Sequence, residues 1–339
     1  MTSTILEEGI FFNMGDAYYA DPIALGSTDI KQLKNGDGFG YWYNSPMNPI
    51  YEKPEDSDAL IYGNFFHTTI LEPHLVDSRY MFPLANEPKN LLTAKDIANA
   101  LAALGISYKK AETKARLIEL YGRDIEAAGF VIDELYKERA KKDGKISISN
   151  SQYDLLQKMI GSAKYWPGLH EFHLKDSLRE VSIILTDSIS GAKLRCRLDA
   201  VNDNGFSDAK SIASLQEHKI KNAFFDLDYP IQGSGYLYAI LQAYERRDTL
   251  QTDDPVKLKR FWELVERQLN DPKFHFWFWG KDAPYAQATY TLDGNTLDYG
   301  LTCWQTAMKN YRSFMQSHGS APWPSIWPDQ PRCMSQLGG

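Results

Sequence analysis

The spacing of apolar residues changes along the chain and marks its parts. Residues 1 to 60 hold no sustained period and are rich in Gly, Pro, Asn, Asp and Tyr. That predicts an irregular segment with one helix after the capping candidate Ser27, in STDIKQLKN. From Leu60 the run ALIYGNFFHTTILEP is long enough for a helix, is ended by Pro73, and carries His67 inside it. Residues 92 to 143 are strongly helical in composition. Within them LTAKDIANALAALGISYKKAETKARLIELYG predicts two amphipathic helices around a Gly-containing extended loop, a self-contained helical insertion. A further helix, SNSQYDLLQKMIGSAKYW, starts at a cap near Ser149 or Ser151.

Past this helix the period falls from 3.6 to 2. Three strands are expected at 179 to 186, 192 to 201 and 205 to 211, joined by the turn-rich DSISG and NDNG. A helix carrying QGSGYLYAILQAYERR follows, then a charged helix near PVKLKRFWELVERQL. FHFWFWG (274 to 280) and AQATYTL (286 to 292) alternate as strands, and an amphipathic helix runs from about Leu297 to Ser317. A Pro-rich tail, APWPSIWPDQPR, closes the chain, and no internal repeat is evident. Strands framed by helices predict an α/β fold.

Composition narrows the class. A chain of 339 residues, 43% of them hydrophobic, can bury a large core as one big domain or one domain carrying insertions. Cys196, Cys303 and Cys333 lie far apart with no CxxC spacing, which argues against a disulfide scaffold, a structural zinc site or a cysteine-ligated cluster. The N-terminus, MTSTILEEGIFF, lacks the signature of a secretory signal, and no apolar run approaches membrane-spanning length. A soluble cytoplasmic protein with no membrane partner is the expectation. The formal net charge of −7 argues against nucleic-acid binding through bulk charge, although a local basic groove is compatible with it.

The candidate chemistry lies in RLDAVNDNGFSDAKS. With NDNG as a four-residue loop, Val201 faces Phe206 and the same register sets Asp199 opposite Asp208, with Cβ atoms about 4.5 to 5.5 Å apart. Lys210, two residues beyond Asp208, projects from the same face. With Ser188 to Gly191 as the preceding loop, Asp187 faces Ala192 and Glu180 faces Asp199. Three carboxylates on one face repel unless protonated or neutralised by a cation, and hard oxygen ligands of this kind suit Mg²⁺ or Mn²⁺. The competing reading is a set of solvated charges on the polar face of an amphipathic sheet.

Asp199 followed by Asp208-Ala209-Lys210 resembles the D…(D/E)xK signature of the restriction-endonuclease-like (PD-(D/E)XK) metal-dependent nucleases. Gly63 to His67, GNFFH, is similar to the GxxxH motif of the RecB-type branch of that superfamily, and Gln232 to Tyr236, QGSGY, to its QxxxY motif. Over most of residues 20 to 330, outside the helical insertion, the chain resembles the RecE-type exodeoxyribonuclease VIII and its phage relatives. This likeness implies a restriction-endonuclease-like α/β core, a mixed central β-sheet flanked by helices, at 1–90, including the GxxxH helix, and at 146–339, with the helical insertion at 91–145. It implies an enzyme that hydrolyses one strand of linear double-stranded DNA from its ends, 5′ to 3′, with Mg²⁺ or Mn²⁺. It further implies a ring-shaped homo-oligomer working beside a single-strand annealing recombinase.

On that likeness Asp199, Asp208, the Ala209 carbonyl, His67 and Glu180 hold the metal. Lys210 orients the attacking water, and Gln232 and Tyr236, four residues apart on one helix face, fix the lysine or the adjacent phosphate. The insertion looks like the helix, extended loop, helix modules of the SAP or HeH type, some of which bind DNA. Its Lys109, Lys110, Lys114 and Arg116 would suit phosphate contacts, set against a pair of solvent-facing helices whose basic residues serve solubility. The rival functions are a non-catalytic DNA-binding recombination accessory protein and an endonuclease of the same fold.

Overall fold

The computed structural model describes residues 6–21, 23–82, 93–109, 111–122 and 133–324. They divide into two compact units, one built from 1–54 and 163–339 and the other from 55–162. The second unit therefore extends beyond the predicted insertion at both ends and takes in the GNFFH helix.

In the first unit six strands form a mixed sheet, ordered β1 (Gly9–Phe11), β4 (Leu178–Thr186), β5 (Lys193–Asn202), β6 (Gly205–Ile212), β7 (Phe274–Gly280) and β8 (Gln287–Thr291). All neighbours are antiparallel except β6 and β7. That parallel pair requires a crossover, which the helices Glu217–Asp226, Tyr229–Glu245 and Pro255–Gln268 supply. Strand β1, too short to show a period, is absent from the sequence expectation. The other five strands fall within one or two residues of it.

β7 is buried along its whole length because it is covered on both faces. Phe276 stacks on Tyr229 at 5.1 Å, on the side of the Tyr229–Glu245 helix. Trp277, pointing the other way, stacks on His173 at 4.7 Å, on the side of the Pro167–Leu174 helix. The alternation Phe-His-Phe-Trp-Phe-Trp thus separates an apolar layer from a layer of tryptophans and histidines. In that second layer the ring nitrogens of His173 lie 2.8 Å from the Ser207 and 2.8 Å from the Thr289 hydroxyls. Those of His275 meet the Thr291 hydroxyl and the Asn204 carbonyl. A neutral imidazole donates from one nitrogen and accepts at the other, so hydroxyls that do either satisfy it without a charge.

Two helices cross closely enough to need glycine at the contact. A Cβ on Gly300, in the Gly294–His318 helix, would sit 2.2 Å from the Pro230 carbonyl oxygen, and one on Gly235 would fall 1.8 Å from the Trp304 ring. Gly235 of QGSGY therefore serves helix packing, while Gly233 lies against Phe274 of β7 and Leu292.

The second unit holds the helix Asp58–Leu71, capped by the Ser57 hydroxyl accepting from the Leu60 amide. It also holds a short parallel pair, β2 (Tyr80–Met81) with β3 (Ile146–Ser147), and the helix Asn150–Ala163, with Ser149 and Gln152 exchanging bonds at its start. The helices Ala94–Ala103 and Lys114–Gly122 share a small core of Ile97, Ala100, Leu101 and Leu117. Two helices thus stand where the sequence predicts them. Among the described residues no helix is long and apolar enough to cross a membrane.

Two consequences are measurable. Burial, with the charges of His275 and His170, pushes the His173 pKa down to about 3. The unfolded chain then binds more protons than the folded one between about pH 6.5 and 3, so stability present above 6.5 is lost as pH falls. Denaturant titrations should show up to ~3 kcal/mol lost between pH 7 and 4, much of it absent in His173→Gln. Gly300→Ala should lower the melting temperature, at a cost of about 1 to 3 kcal/mol, because its methyl meets backbone.

Candidate metal centre

The site is built where β5 leaves one neighbour for another. Near its end β5 pairs with β6 through Ala200–Ser207, Val201–Phe206 and Asn202–Gly205, so the turn is Asp203–Asn204 alone rather than the four residues of NDNG. The predicted register, Val201 opposite Phe206, is unchanged by the shorter turn. At the start of β5 the partner is instead Leu25, whose amide donates to the Lys193 carbonyl and whose carbonyl accepts from the Arg195 amide. Between these two pairings the strands fork. Asp199 and Asp208 sit at the apex.

Each acid there has its own means of carrying charge. Asp199, 7% exposed, accepts a hydrogen bond from the Ala209 amide on Oδ2 at 2.6 Å, filling the place a strand partner would take. Asp208, 3% exposed, accepts from Gln232 Nε2 on Oδ1 at 2.7 Å, and its Oδ2 lies 2.5 Å from Lys210 Nζ. Burial alone would lower the Lys210 pKa, but Asp208, Asp199 and Tyr229 together hold it above its ordinary value, so the ammonium is charged. Its Nζ also lies 5.5 Å from the centre of the Tyr229 ring.

Glu180 departs from the regular strand. The pairs Arg179–Ala200 and Val181–Leu198 keep the predicted register on either side of it, but Glu180 itself has φ of 53°, the left-handed region. Such a conformation in a non-glycine residue stores about 1 to 3 kcal/mol. Its carboxylate faces Arg197, with Oε2 3.5 Å from Nη1. The repulsion expected among three carboxylates is thereby relieved separately at Glu180 and at the two aspartates.

Gln232 and Tyr236 share the Tyr229–Glu245 helix but have different partners. Gln232 binds Asp208 rather than the lysine. The buried Tyr236 hydroxyl is hydrogen-bonded to Ser27, and burial raises its pKa well above the ordinary phenol value. His67 lies half-buried in the second unit, in the Asp58–Leu71 helix, edge-on to Phe66. Also in that unit, Lys109 is exposed, Lys114 is half-buried, and Arg116 pairs with Glu119 at 2.5 Å. Lys110 lies outside the described residues.

Among the described residues no group of three or more His, Cys, Asp or Glu side chains is gathered to hold a metal ion. Asp199 and Asp208 nevertheless fit a hard divalent cation. They are two buried carboxylates side by side, and one already holds a cation in the form of the Lys210 ammonium. Mg²⁺ commonly takes only one or two carboxylates and keeps waters for the rest of its shell. Sequence reasoning missed Tyr229 and took Ser27 for a helix cap, whereas the cap is Gly26 and Ser27, the first helical residue, meets Tyr236.

A family model described as "PDDEXK-like domain of unknown function (DUF3799)" matches residues 44–252, more than half of the chain. Among solved structures the chain is similar to a protein of Eubacterium rectale named "Putative exonuclease", at 12% identity, with a TM-score of 0.51 over 96% of each chain. At that identity the likeness is one of fold. Another, SSO0001, is 13% identical over 73% of this chain and 84% of its own, with a TM-score of 0.24. No match is found among the curated proteins.

Removing the ammonium gives a direct test of the cation site. Lys210→Met leaves Asp208 buried without its counter-ion and should lower the melting temperature of metal-free protein. Mn²⁺ should then raise the melting temperature of Lys210→Met more than that of wild type, since the ammonium no longer competes for Asp208. Equal Mn²⁺ shifts in the two proteins would contradict a metal site at Asp208.

Proposed function

The chain belongs to the PDDEXK-like domain family, and from that premise we propose that it is a divalent-cation-dependent nuclease acting on linear double-stranded DNA. The observation that carries this reading is the fork network, in which Asp199, Asp208, Lys210 and Gln232 converge from two strands and one helix. Two buried acids beside an ammonium are costly to fold and have an obvious use in hydrolysing a phosphodiester.

Asp199 and Asp208 hold the cation, Mg²⁺ or in its place Mn²⁺, with the Ala209 carbonyl as a further ligand; Glu180, held by Arg197, stays outside this set. When bound, the ion supplies positive charge at the scissile phosphate and lowers the pKa of a nearby water. Lys210 orients that water; being held charged by Asp208, it acts as a donor and not as a base. Gln232 locks the Asp208 carboxylate in position, and Tyr236, tied to Ser27, anchors the helix that presents Gln232.

Digestion from DNA ends, its 5′ to 3′ direction and the production of single strands for recombination follow the likeness to RecE-type exonucleases carried by GNFFH, D…DAK and QGSGY. The name given to the Eubacterium rectale protein points the same way. A homo-oligomeric ring and a strand-annealing recombinase as partner belong to the same proposal. Lys109, Lys110 and Lys114 of the helical module would add phosphate contacts, as would Arg116 once it exchanges Glu119 for a phosphate.

End-labelled linear duplex should be degraded in Mg²⁺ and spared in EDTA, while covalently closed circles persist. Asp208→Asn and Lys210→Ala should each lower the rate by at least about a hundredfold with circular dichroism unchanged. Cutting of closed circles would replace the exonuclease reading with an endonuclease one. No degradation with any divalent ion would favour a non-catalytic DNA-binding protein.

A further inference from the structure

The cleft that opens beside the fork, about 910 Å³, is lined by residues of the first unit, among them the cations Lys31 and Lys210, the ring of Tyr229 and the acids Asp29, Asp37, Asp226 and Asp228. Lys31 comes from the Ser27–Leu33 helix, and its Nζ lies 5.7 Å from the centre of the Tyr229 ring. Lys210 approaches the same ring at 5.5 Å, so the two ammonium groups are no more than about 11 Å apart.

Their partners differ. Lys210 is neutralised by Asp208. Lys31 donates to the Leu227 carbonyl at 2.5 Å, and among the described residues no carboxylate lies within ion-pair distance of it. The neighbouring Asp228 is taken by Lys34 at 2.5 Å. Burial and the Lys210 charge draw the Lys31 pKa down to about 8 against the opposing pull of Asp228 and Asp208, neither of which bonds to it directly.

We infer that Lys31 is a substrate-binding residue that holds a backbone phosphate of the nucleic-acid strand lying in this cleft, next to the phosphate that Lys210 faces. A phosphate diester supplies a directly bonded anion, which none of the described carboxylates gives Lys31. It lies against a Tyr229 ring already flanked by both ammonium groups, and Gln32 and Asn35 supply neutral donors along the same wall. The contact is with phosphate and is blind to base sequence.

This inference rests on the nuclease reading, and the test separates the two. Binding of a short fluorescent blunt-ended duplex is measured in Ca²⁺ over a range of NaCl concentrations, and cleavage separately in Mg²⁺. Lys31→Met should weaken binding of unrelated duplex sequences alike and reduce the slope of log affinity against log salt by about 0.9, the value for one duplex phosphate. KM should rise more than kcat falls, and Lys31→Arg should restore the slope. An unchanged slope in Lys31→Met, whether or not affinity or the melting temperature drops, would leave Lys31 a purely structural donor to Leu227 and overturn the inference alone. A wild-type protein that neither binds nor cuts DNA would overturn the nuclease reading and this inference with it.

Discussion

The structure turns on the separation of β5 from β6. Two antiparallel strands that stayed paired would have brought Asp199 and Asp208 face to face and satisfied the Ala209 amide with a backbone carbonyl. Because β5 changes partners to Leu25, the amide is left for the Asp199 carboxylate, and the gap admits the Ser27–Leu33 helix with the cleft beside it. A buried carboxylate costs several kcal/mol unless donors or counter-ions meet it, so the fork is tolerable only because Ala209, Gln232 and Lys210 are each in place. The positive φ of Glu180 belongs to the same region, where regular sheet geometry gives way.

The sheet behind the site is built to hold that fork still. β7 lies directly beside β6, and its two faces carry different kinds of packing. The Tyr229 ring of the Tyr229–Glu245 helix stacks on Phe276, while His173 on the opposite face ties Ser207, the residue next to Asp208, to Thr289 of β8. A histidine bonded at both nitrogens and stacked on tryptophan fixes its neighbours in a way an apolar side chain cannot. Its neutral form is essential to that role, which makes the histidine layer sensitive to acid in a way the phenylalanine layer is not.

Close helix packing extends the same rigidity to Gln232. The Tyr229–Glu245 helix begins at Asp228, in a left-handed conformation and paired with Lys34, and is pressed against the Gly294–His318 helix at Gly235 and Gly300. Gln232 is therefore presented to Asp208 by a helix with little freedom to turn. Tyr229, one turn earlier, is the ring on which the two lysines of the cleft meet. The pieces of QGSGY thus divide between the bond to Asp208, at Gln232, and packing, at its glycines and Tyr236.

Local pattern determined a large part of this molecule. Period-2 alternation located five of the six strands of the main sheet, and hairpin arithmetic placed Val201 opposite Phe206, because register in a short hairpin depends on the residues within it. The helix cap at Ser149 was legible for the same reason: a cap is a bond between residues three apart. Only the tertiary structure decided which groups would neutralise the acids. Arg197 for Glu180, an amide for Asp199 and Gln232 for Asp208 depend on where strands part and helices cross. Lys31 entered the cleft the same way, through the pairing of Leu25 with β5, a contact between residues about 170 positions apart that no local period encodes.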